Sequence, residues 1–227
     1  MAGTPIIELR EVWKTYHMGT VAVHALRGLS LRIEKGEFVA IQGPSGSGKS
    51  TAMNLIGCLD VPTKGTILLD GEDISLLGES ALAQIRGRKI GFVFQQFNLI
   101  QTLSALENVA LPMLFQGIPA QKRMERARSL LGQVGLADRT GHRPTELSGG
   151  QQQRVAVARA LANNPEVVLA DEPTGNLDSK TGKALMELLT GLHETDGKTI
   201  IIVTHDSEVA AFADRVALLR DGRIQSS

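Results

Sequence analysis

The chain has 227 residues, of which 42% are hydrophobic, and its 24 Lys and Arg residues balance its 24 Asp and Glu residues. This length suits one domain with a proper apolar core. Zero formal net charge and an aromatic content of 4% argue against a nucleic-acid-binding surface and against a strongly basic face for lipid headgroups. The single cysteine, Cys58, excludes an intrachain disulfide, which fits a reducing compartment.

The hydropathy pattern predicts a protein without a membrane span. No apolar run reaches the roughly 18 residues that such a span needs, and the longest runs, such as 200–203, have the length of a strand. Residues 1–5 lack the basic and then apolar pattern of a signal peptide. We therefore expect a cytoplasmic protein that reaches a membrane only through a partner.

In chain order, the first predicted elements are strands. Alternating β-branched and aromatic residues over 6–33 predict an antiparallel β-subdomain. A continuous apolar run at 38–41 predicts a buried strand, which leads through a glycine-rich turn into a helix from Lys49 to about Leu59. Further strands are predicted at 65–69 and 90–94, with a helix at 79–88 between them.

The middle of the chain, about 96–163, has helical periodicity interrupted by Pro112 and Pro119. We expect it to form a helical lobe inserted between strands. Its last helix begins after Gly149, is expected to place Val155, Ala158 and Ala162 on one face, and is expected to end at 163–165.

The C-terminal part predicts strands at 167–170, 199–203 and 216–219, with a helix at 179–195 and a turn at 221–223. Alternation of strands and helices predicts a parallel sheet that is covered on both faces. The expected fold is therefore α/β, a single domain over residues 1–227.

A glycine-rich motif follows the strand at 38–41 and matches the P-loop pattern G-x-x-x-x-G-K-[ST]. Its residues are Gly43, Pro44, Ser45, Gly46, Ser47, Gly48, Lys49, Ser50 and Thr51. Glycines let backbone N–H groups converge on phosphate oxygens, and the positive end of the following helix adds to the attraction. We expect Lys49 to contact the β- and γ-phosphates of a nucleoside triphosphate and Ser50 to bind Mg²⁺.

Two acidic residues, Asp171 and Glu172, follow the apolar strand at 167–170. A carboxylate at the end of this strand is expected to hold Mg²⁺ opposite Ser50. The next carboxylate is expected to act on the attacking water as a general base or to position it. Such a pair can also be a solvated turn, and it is the P-loop earlier in the chain that favours the catalytic interpretation.

The segment Leu147-Ser148-Gly149-Gly150-Gln151 resembles the signature motif of ABC-type ATPases. The resemblance implies that Ser148, Gly149, Gly150 and Gln151 contact the γ-phosphate of ATP bound to a second copy of the chain. A Ser-Gly-Gly segment that begins a helix offers free N–H groups to an anion, which makes this role physically reasonable. On this basis the expected fold is a P-loop ATPase core with an antiparallel β-subdomain and an inserted helical subdomain.

Four other positions match landmarks of the ABC family in sequence order. The resemblance implies that Tyr16, expected after the first strand, stacks on adenine, although a packed strand aromatic is the alternative. It implies that Gln95 senses Mg²⁺ and the γ-phosphate, with Gln96 as the neighbouring candidate. It also implies that Asp178, in Gly175-Asn176-Leu177-Asp178, lies in a loop that crosses the dimer interface. In the family this loop often reads Ser-Ala-Leu-Asp, so Asn176 is a mild departure.

The last of the four landmarks is His205. The resemblance implies that it reaches the γ-phosphate and holds Glu172 in place.

The resemblance covers essentially the whole chain and narrows to the lipoprotein-release and macrolide-efflux branch. The residues that carry it lie at 94–99, 106–109, 149–154, 163–165 and 171–178. It implies an ATPase subunit that dimerises around two Mg²⁺–ATP and drives an integral-membrane permease. That permease would export or extract lipoprotein, peptide or hydrophobic compounds, with contacts near residues 95–109, and the ATPase would lie at the cytoplasmic face of the membrane.

Two other functions and one question of chain organisation are weighed against this interpretation. The same branch includes a division-type ATPase, which would control a cell-wall enzyme without moving a substrate. Soluble ABC proteins of DNA repair or translation carry long inserts or tandem ATPase domains, for which one P-loop and 227 residues leave no room. In efflux relatives the membrane region follows the ATPase on the same chain, so here it is either a separate polypeptide or a part that this sequence does not include.

Overall fold

A computed structural model of the protein describes residues 5–225. The expected lack of a signal peptide concerns residues 1–5, and residues 1–4 lie outside this range. Every helix of the described residues falls short, in length or in apolar character, of what crossing a bilayer requires.

Within residues 5–225, ten strands form two sheets. The strands are β1 (Pro5–Met18), β2 (Val21–Glu34), β3 (Phe38–Gln42), β4 (Lys64–Leu69), β5 (Glu72–Asp73), β6 (Ile90–Phe94), β7 (Val167–Asp171), β8 (Thr199–Thr204), β9 (Arg215–Arg220) and β10 (Arg223–Gln225). The first sheet, in the order β2-β1-β4-β5, is antiparallel. The second has the order β10-β9-β3-β8-β7-β6 and is parallel except for the pair β9 and β10.

The helices are α1 (Lys49–Ile56), α2 (Glu79–Lys89), α3 (Ala105–Phe115), α4 (Ala120–Gln133), α5 (Gly149–Ala160), α6 (Ser179–Asp196) and α7 (Ser207–Ala210). Short 3₁₀ turns occur at Ala137–Arg139 and Pro144–Glu146. Between β6 and β7 the chain forms only α3, α4, α5 and these two turns, within residues 96–163. The predicted α/β fold with an N-terminal antiparallel sheet is confirmed, and the division of the chain at about 96–163 stays a prediction.

The parallel sheet is buried on both faces, which explains its continuous apolar runs. In β8, Ile200 and Ile202 pack in one core with the helices α3 to α6. The alternate residues Ile201 and Val203 pack in a second core with α1 and the antiparallel sheet. Because side chains alternate across a strand, each central strand contributes to both cores.

Some predicted boundaries are wrong. Helix α1 ends at Ile56 rather than near residue 59, because Cys58 has a left-handed φ of 54° that stops the helix. Helix α5 ends at Ala160, so Ala162 lies in the following turn and not on the helical face. Tyr16, expected after the first strand, lies inside β1. The sequence patterns also did not predict β5 or α7, which are too short to show a period.

The carboxyl ends of four parallel strands meet at one edge of the second sheet. In the register of the sheet, Gln42 of β3 pairs with Thr204 of β8. Asp171 of β7 pairs with Val203 of β8 and with Phe94 of β6. The loops that follow these strands therefore lie side by side, which is where open α/β sheets bind ligands.

Candidate functional site

The loop between β3 and α1 requires glycine at two positions. A Cβ atom on Gly43 would lie 2.1 Å from the carbonyl oxygen of Leu219. Gly48 has a φ of 104°, and a Cβ atom there would lie 2.6 Å from the carbonyl oxygen of Ala25. The loop passes so close to β2 and β9 that a side chain at either position would clash with their backbone. Only glycine fits at these two positions.

Lys49 begins α1 and is 8% exposed. Its ammonium group donates hydrogen bonds to the carbonyl oxygens of Gly43 at 2.7 Å and Pro44 at 2.9 Å. The preceding Gly48 supplies no side-chain cap, so the first N–H groups of α1 remain available to an anion. The loop thus concentrates positive charge and N–H donors at the start of one helix.

Asp171 ends β7 beside this loop, and it is partly buried. Burial raises the pKa of its carboxyl group, the negative charge of Glu172 raises it further, and Lys49 lowers it. A carboxylate held in this way is poorly solvated, so its ionised form costs free energy. A positive charge bound next to it would reduce this cost.

Glu172 has a left-handed backbone with a φ of 43°. Its N–H donates to the carbonyl oxygen of Val203 at 2.8 Å, and its own carbonyl oxygen accepts from the N–H of Gly175 at 3.0 Å. These two bonds hold the residue in a conformation that non-glycine residues rarely adopt. Backbone strain of this kind is often found at functional sites.

The carboxylate of Glu172 has two side-chain partners from the end of β8. Its Oε1 lies 2.8 Å from Nδ1 of His205, and its Oε2 accepts from the hydroxyl of Thr204 at 3.2 Å. The side chain of His205 is 70% exposed, whereas that of Glu172 is 19% exposed. One face of the histidine therefore remains accessible while the carboxylate is held in a fixed direction.

A cleft of about 1060 Å³ brings most of the predicted residues together. From the P-loop and from the strand ends, its lining includes Pro44, Ser45, Gly46, Gly48, Lys49, Ser50, Thr51, Asp171, Glu172 and His205. The lining residues that were not predicted are Val23, His24, Ala25, Arg27, Asp221 and Gly222. No local pattern marks these residues. Four of them reach the cleft because the β1–β2 hairpin folds over the P-loop, and Asp221 and Gly222 belong to the turn between β9 and β10.

Tyr16 lies in β1 opposite Val23, which lines the cleft. Its hydroxyl donates to Oδ2 of Asp60 at 3.1 Å, and the ammonium of Lys14 lies 5.1 Å from the centroid of its ring. Burial raises the pKa of Tyr16, the hydrogen bond with Asp60 adds to this, and a hydrogen bond with Thr51 lowers it. The ring is thus fixed beside the P-loop helix, and its stacking on adenine stays a prediction.

Gln95 follows β6 at the same sheet edge and lies against the segment after Glu172. A Cβ atom on Gly175 would be 2.6 Å from Nε2 of Gln95, and Asn176 donates to the carbonyl oxygen of Gln95 at 2.8 Å. Gln95 is not among the residues that line the cleft. Its predicted contacts with Mg²⁺ and the γ-phosphate therefore stay predictions.

The second predicted anion site lies at the start of α5 and is separate from the cleft. Ser148 caps the helix by accepting from the N–H of Gln151 at 3.3 Å, and Gln151 Oε1 accepts from the N–H of Ser148 at 2.9 Å. Asp178 caps α6 nearby, bonded to Thr181, against whose side chain Gly150 packs. Ser148, Gly149, Gly150, Gln151 and Asp178 form one surface, and none of them lines the cleft around Lys49.

Replacing Asp171 with asparagine is expected to stabilise the ligand-free fold. The raised pKa of Asp171 means that its ionised form destabilises the native state at pH values above the ordinary pKa of an aspartate. Because the group is only partly buried, we expect a gain in free energy of unfolding of no more than about 1 kcal/mol. Urea titrations at neutral pH measure it, and the gain should shrink as the pH falls through the raised pKa.

The control for this variant is Asp138→Asn, whose side chain is 71% exposed. It should change the free energy of unfolding by much less. A loss of stability in Asp171→Asn at neutral pH would contradict the assignment of a poorly solvated carboxylate.

The fold and the cleft define the class of protein. A glycine-rich loop between a central parallel strand and a helix, beside an acidic strand end, is characteristic of P-loop nucleoside triphosphatases. Residues 26–175 match the ABC transporter family. The chain belongs to this family, and it is an ATPase domain of the ABC type, as predicted.

Relatives of known sequence and structure agree with this assignment. The chain is 57% identical over 220 residues to an uncharacterized ABC transporter ATP-binding protein of Thermotoga maritima, covering 97% of this chain and 94% of the relative. It is 55% identical over 226 residues to the macrolide export ATP-binding/permease protein MacB of Brucella melitensis, of which it spans 35%. The membership of the lipoprotein-release and macrolide-efflux branch is thereby confirmed.

A solved structure supports the fold at the level of the whole chain. It is the dimeric post-hydrolysis state of the ATP-binding cassette MJ0796 bound to ADP and Pi, a protein of Methanocaldococcus jannaschii. The two structures align with a TM-score of 0.89 at 52% identity and cover 97% of each chain.

Proposed function

We propose that two copies of this protein bind two ATP molecules between them and hydrolyse them to drive a membrane partner. The observation that carries the proposal is the separation of two anion-binding helix starts on one chain. Lys49 and its loop line the cleft, whereas Gly149 and Gly150 present the first N–H groups of α5 on a different surface, where Ser148 caps the helix. In a head-to-tail dimer, the second surface of one copy completes the cleft of the other. The dimeric state of the MJ0796 structures supports this arrangement.

The P-loop is the proposed binding site for the triphosphate. Lys49 would exchange its bonds with the carbonyl oxygens of Gly43 and Pro44 for the β- and γ-phosphates, which attract it more strongly. The N–H groups of residues 45–51 would hold the phosphate oxygens, and Tyr16 would stack on adenine. Asp178 and Gln151 would contribute from the other copy.

The residues of the cleft fit Mg²⁺ bound together with a nucleotide. Among the residues that the structure describes, no cluster of three or more His, Cys, Asp and Glu side chains could hold a metal by itself. Mg²⁺ is usually held by one or two protein oxygens together with substrate phosphates and water, and Ser50 and Asp171 offer such oxygens in this cleft. When bound, the ion supplies charge that neutralises the phosphate oxygens.

Hydrolysis transfers the γ-phosphoryl group to water. We assign Glu172 as the general base or water-positioning group and His205 as the residue that keeps its carboxylate in place, on the basis of their 2.8 Å contact. Gln95 would contribute from the loop after β6. In this type of reaction, positioning and charge stabilisation supply most of the rate enhancement.

The partner that we propose is an integral-membrane permease, with the ATPase at the cytoplasmic face of the membrane. A groove of about 670 Å³ between α2, β6, α3 and α5 begins beside the Gln95 segment and is lined by apolar side chains, including Phe92, Phe94, Leu111 and Phe115. Phe115 is 77% exposed, which is unusual for a large apolar residue without a partner. The similarity to MacB favours export or extraction of a lipoprotein, peptide or hydrophobic compound over the division-type alternative.

A mixing experiment tests the composite sites. Lys49→Ala damages the P-loop, and Ser148→Arg blocks the opposite surface, so each variant alone should lose ATPase activity. In an equal mixture we expect about a quarter of the parental rate, because random pairing makes half of the dimers mixed and each carries one intact site. ATPase assays of each variant and of the mixture measure it.

Recovery only in the mixture would support the head-to-tail dimer. If the mixture is as inactive as its parts while the parent is active, each site lies within one chain or the two sites act only together. A mixture of Lys49→Ala with Asp171→Asn serves as the matched control and should stay inactive, since both changes damage the same half of a site.

A further inference from the structure

A buried amide of α5 joins the two loops that flank the cleft. Gln153 is 0% exposed, and its Nε2 donates to the carbonyl oxygen of Pro173 at 2.8 Å and to that of Phe94 at 3.3 Å. Phe94 directly precedes Gln95, and Pro173 directly follows Glu172. One side chain therefore connects α5, the helix that Ser148 caps, to both segments.

The chemistry of the contacts requires an amide donor at this position. Both partners are carbonyl oxygens, so only the NH₂ end can face them, and a carboxylate there would meet two acceptors. Within residues 5–225 the Oε1 atom of Gln153 has no hydrogen-bond partner, although it is buried. A buried acceptor without a partner destabilises a fold, so an amide kept here needs an explanation other than packing.

Two other side chains complete the network. Arg159, on the same helix, donates to the carbonyl oxygen of Phe97 at 2.8 Å and to that of Asn98. Asn176 donates to the carbonyl oxygen of Gln95 at 2.8 Å. As a result, α5 holds the segment 94–98 at both of its ends, and the segment after Glu172 is bonded to the same stretch.

We propose that Gln153 is a positioning residue of the ATPase, which sets the two loops around the cleft relative to the start of α5. The inference rests on the proposed function and deepens it. Through Pro173 it orients Glu172 and the interface residue Asp178, and through Phe94 it orients Gln95. Because Ser148 caps the same helix, a shift of either loop is transmitted to the surface that completes the other copy's site.

The first test is Gln153→Glu. At neutral pH the new carboxylate faces two carbonyl oxygens, so we expect kcat to fall about 10-fold, since displacements of about 1 Å can reduce rates by up to about 10²-fold. The Kd for ATP should stay within about twofold, because Gln153 does not line the cleft. Burial raises the pKa of the introduced carboxyl, and its protonated form can donate one bond. The ratio of variant to parental kcat should therefore rise from about pH 8 to about pH 6.

The matched control is Val157→Ala, a buried change on the same helix that makes a cavity without removing a hydrogen bond. It should lower the melting temperature and leave kcat, measured well below that temperature, close to the parental value. If Gln153→Glu does not fold, Asn176→Ala replaces it, since Asn176 is exposed and its loss removes only the bond to Gln95. It should lower kcat and leave the Kd for ATP unchanged.

The outcomes separate this inference from the proposed function. If the parent hydrolyses ATP and the variants match its kcat at every pH, the positioning role is wrong. If Gln153→Glu lowers the melting temperature as the control does, and its kcat falls only near that temperature, Gln153 is structural only. If the parent itself does not hydrolyse ATP under any condition, the proposed function fails first.

Discussion

Glu172→Gln is expected to reduce the ATP turnover of the protein by at least about 10²-fold, because general-base groups contribute rate factors of this order. The side chain keeps its shape, so its contacts with His205 and Thr204 can be preserved in part. An amide cannot accept the proton of the attacking water. ATP binding should remain, since we propose that the P-loop holds the phosphates, and the dimer closed around ATP should accumulate.

Two measurements check this expectation. An ATPase assay gives the turnover, and light scattering after gel filtration gives the fraction of dimer with and without ATP and Mg²⁺. Glu187→Gln, an exposed change on α6, is the control and should behave like the parent. A Glu172→Gln protein that hydrolyses ATP at close to the parental rate would rule out the assignment of Glu172 as the base.

Lys49→Ala is expected to weaken ATP binding by about 10- to 100-fold, the range for a lost hydrogen bond to a charged group. The ammonium lies almost buried against the P-loop carbonyl oxygens, and among residues 5–225 no carboxylate bonds to it. Its loss removes the point charge that we propose contacts the β- and γ-phosphates. Binding of the uncharged adenosine part should change little, so ADP and ATP affinities should fall while adenosine affinity stays the same.

Isothermal titration with ATP, ADP and adenosine measures these affinities. Lys183→Ala, which removes an exposed charge from α6, controls for the change in net charge. Equal ATP affinity of Lys49→Ala and the parent would contradict the role of the P-loop lysine. If the affinity for adenosine fell as much as the affinity for ATP, the loop would instead have changed its conformation.

Much of the cleft could be predicted from local patterns. The P-loop is recognisable because its backbone admits only glycine at Gly43 and Gly48. Its residues are also consecutive in the sequence, so a short motif identifies it. Asp171 and Glu172 follow a strand whose residues are apolar without interruption, and such a strand is buried on both faces. Strand ends of a parallel sheet meet at one edge, so these groups were expected to be neighbours.

Other features of the site depend on residues that are far apart in the sequence. His24 and Arg27 reach the cleft because a long hairpin packs over the loop, and nothing in their own segment indicates this. The roles suggested for Gln153 and Asn176 rest on hydrogen bonds to carbonyl oxygens of other elements, and backbone carbonyls leave no mark in a sequence. The same holds for the early end of α1, where the conformation of Cys58 overrides helical periodicity.

The sequence by itself therefore determined the α/β class, the P-loop, the acidic pair and the resemblance to the ABC family, since each depends on residue types at short spacing. Only the tertiary structure decided which of these groups share a cleft. It places Lys49, Asp171, Glu172 and His205 around one cavity and leaves Ser148 on another surface. The physical reason is that packing of the sheet against its helices, and not any local preference, sets the distances between elements.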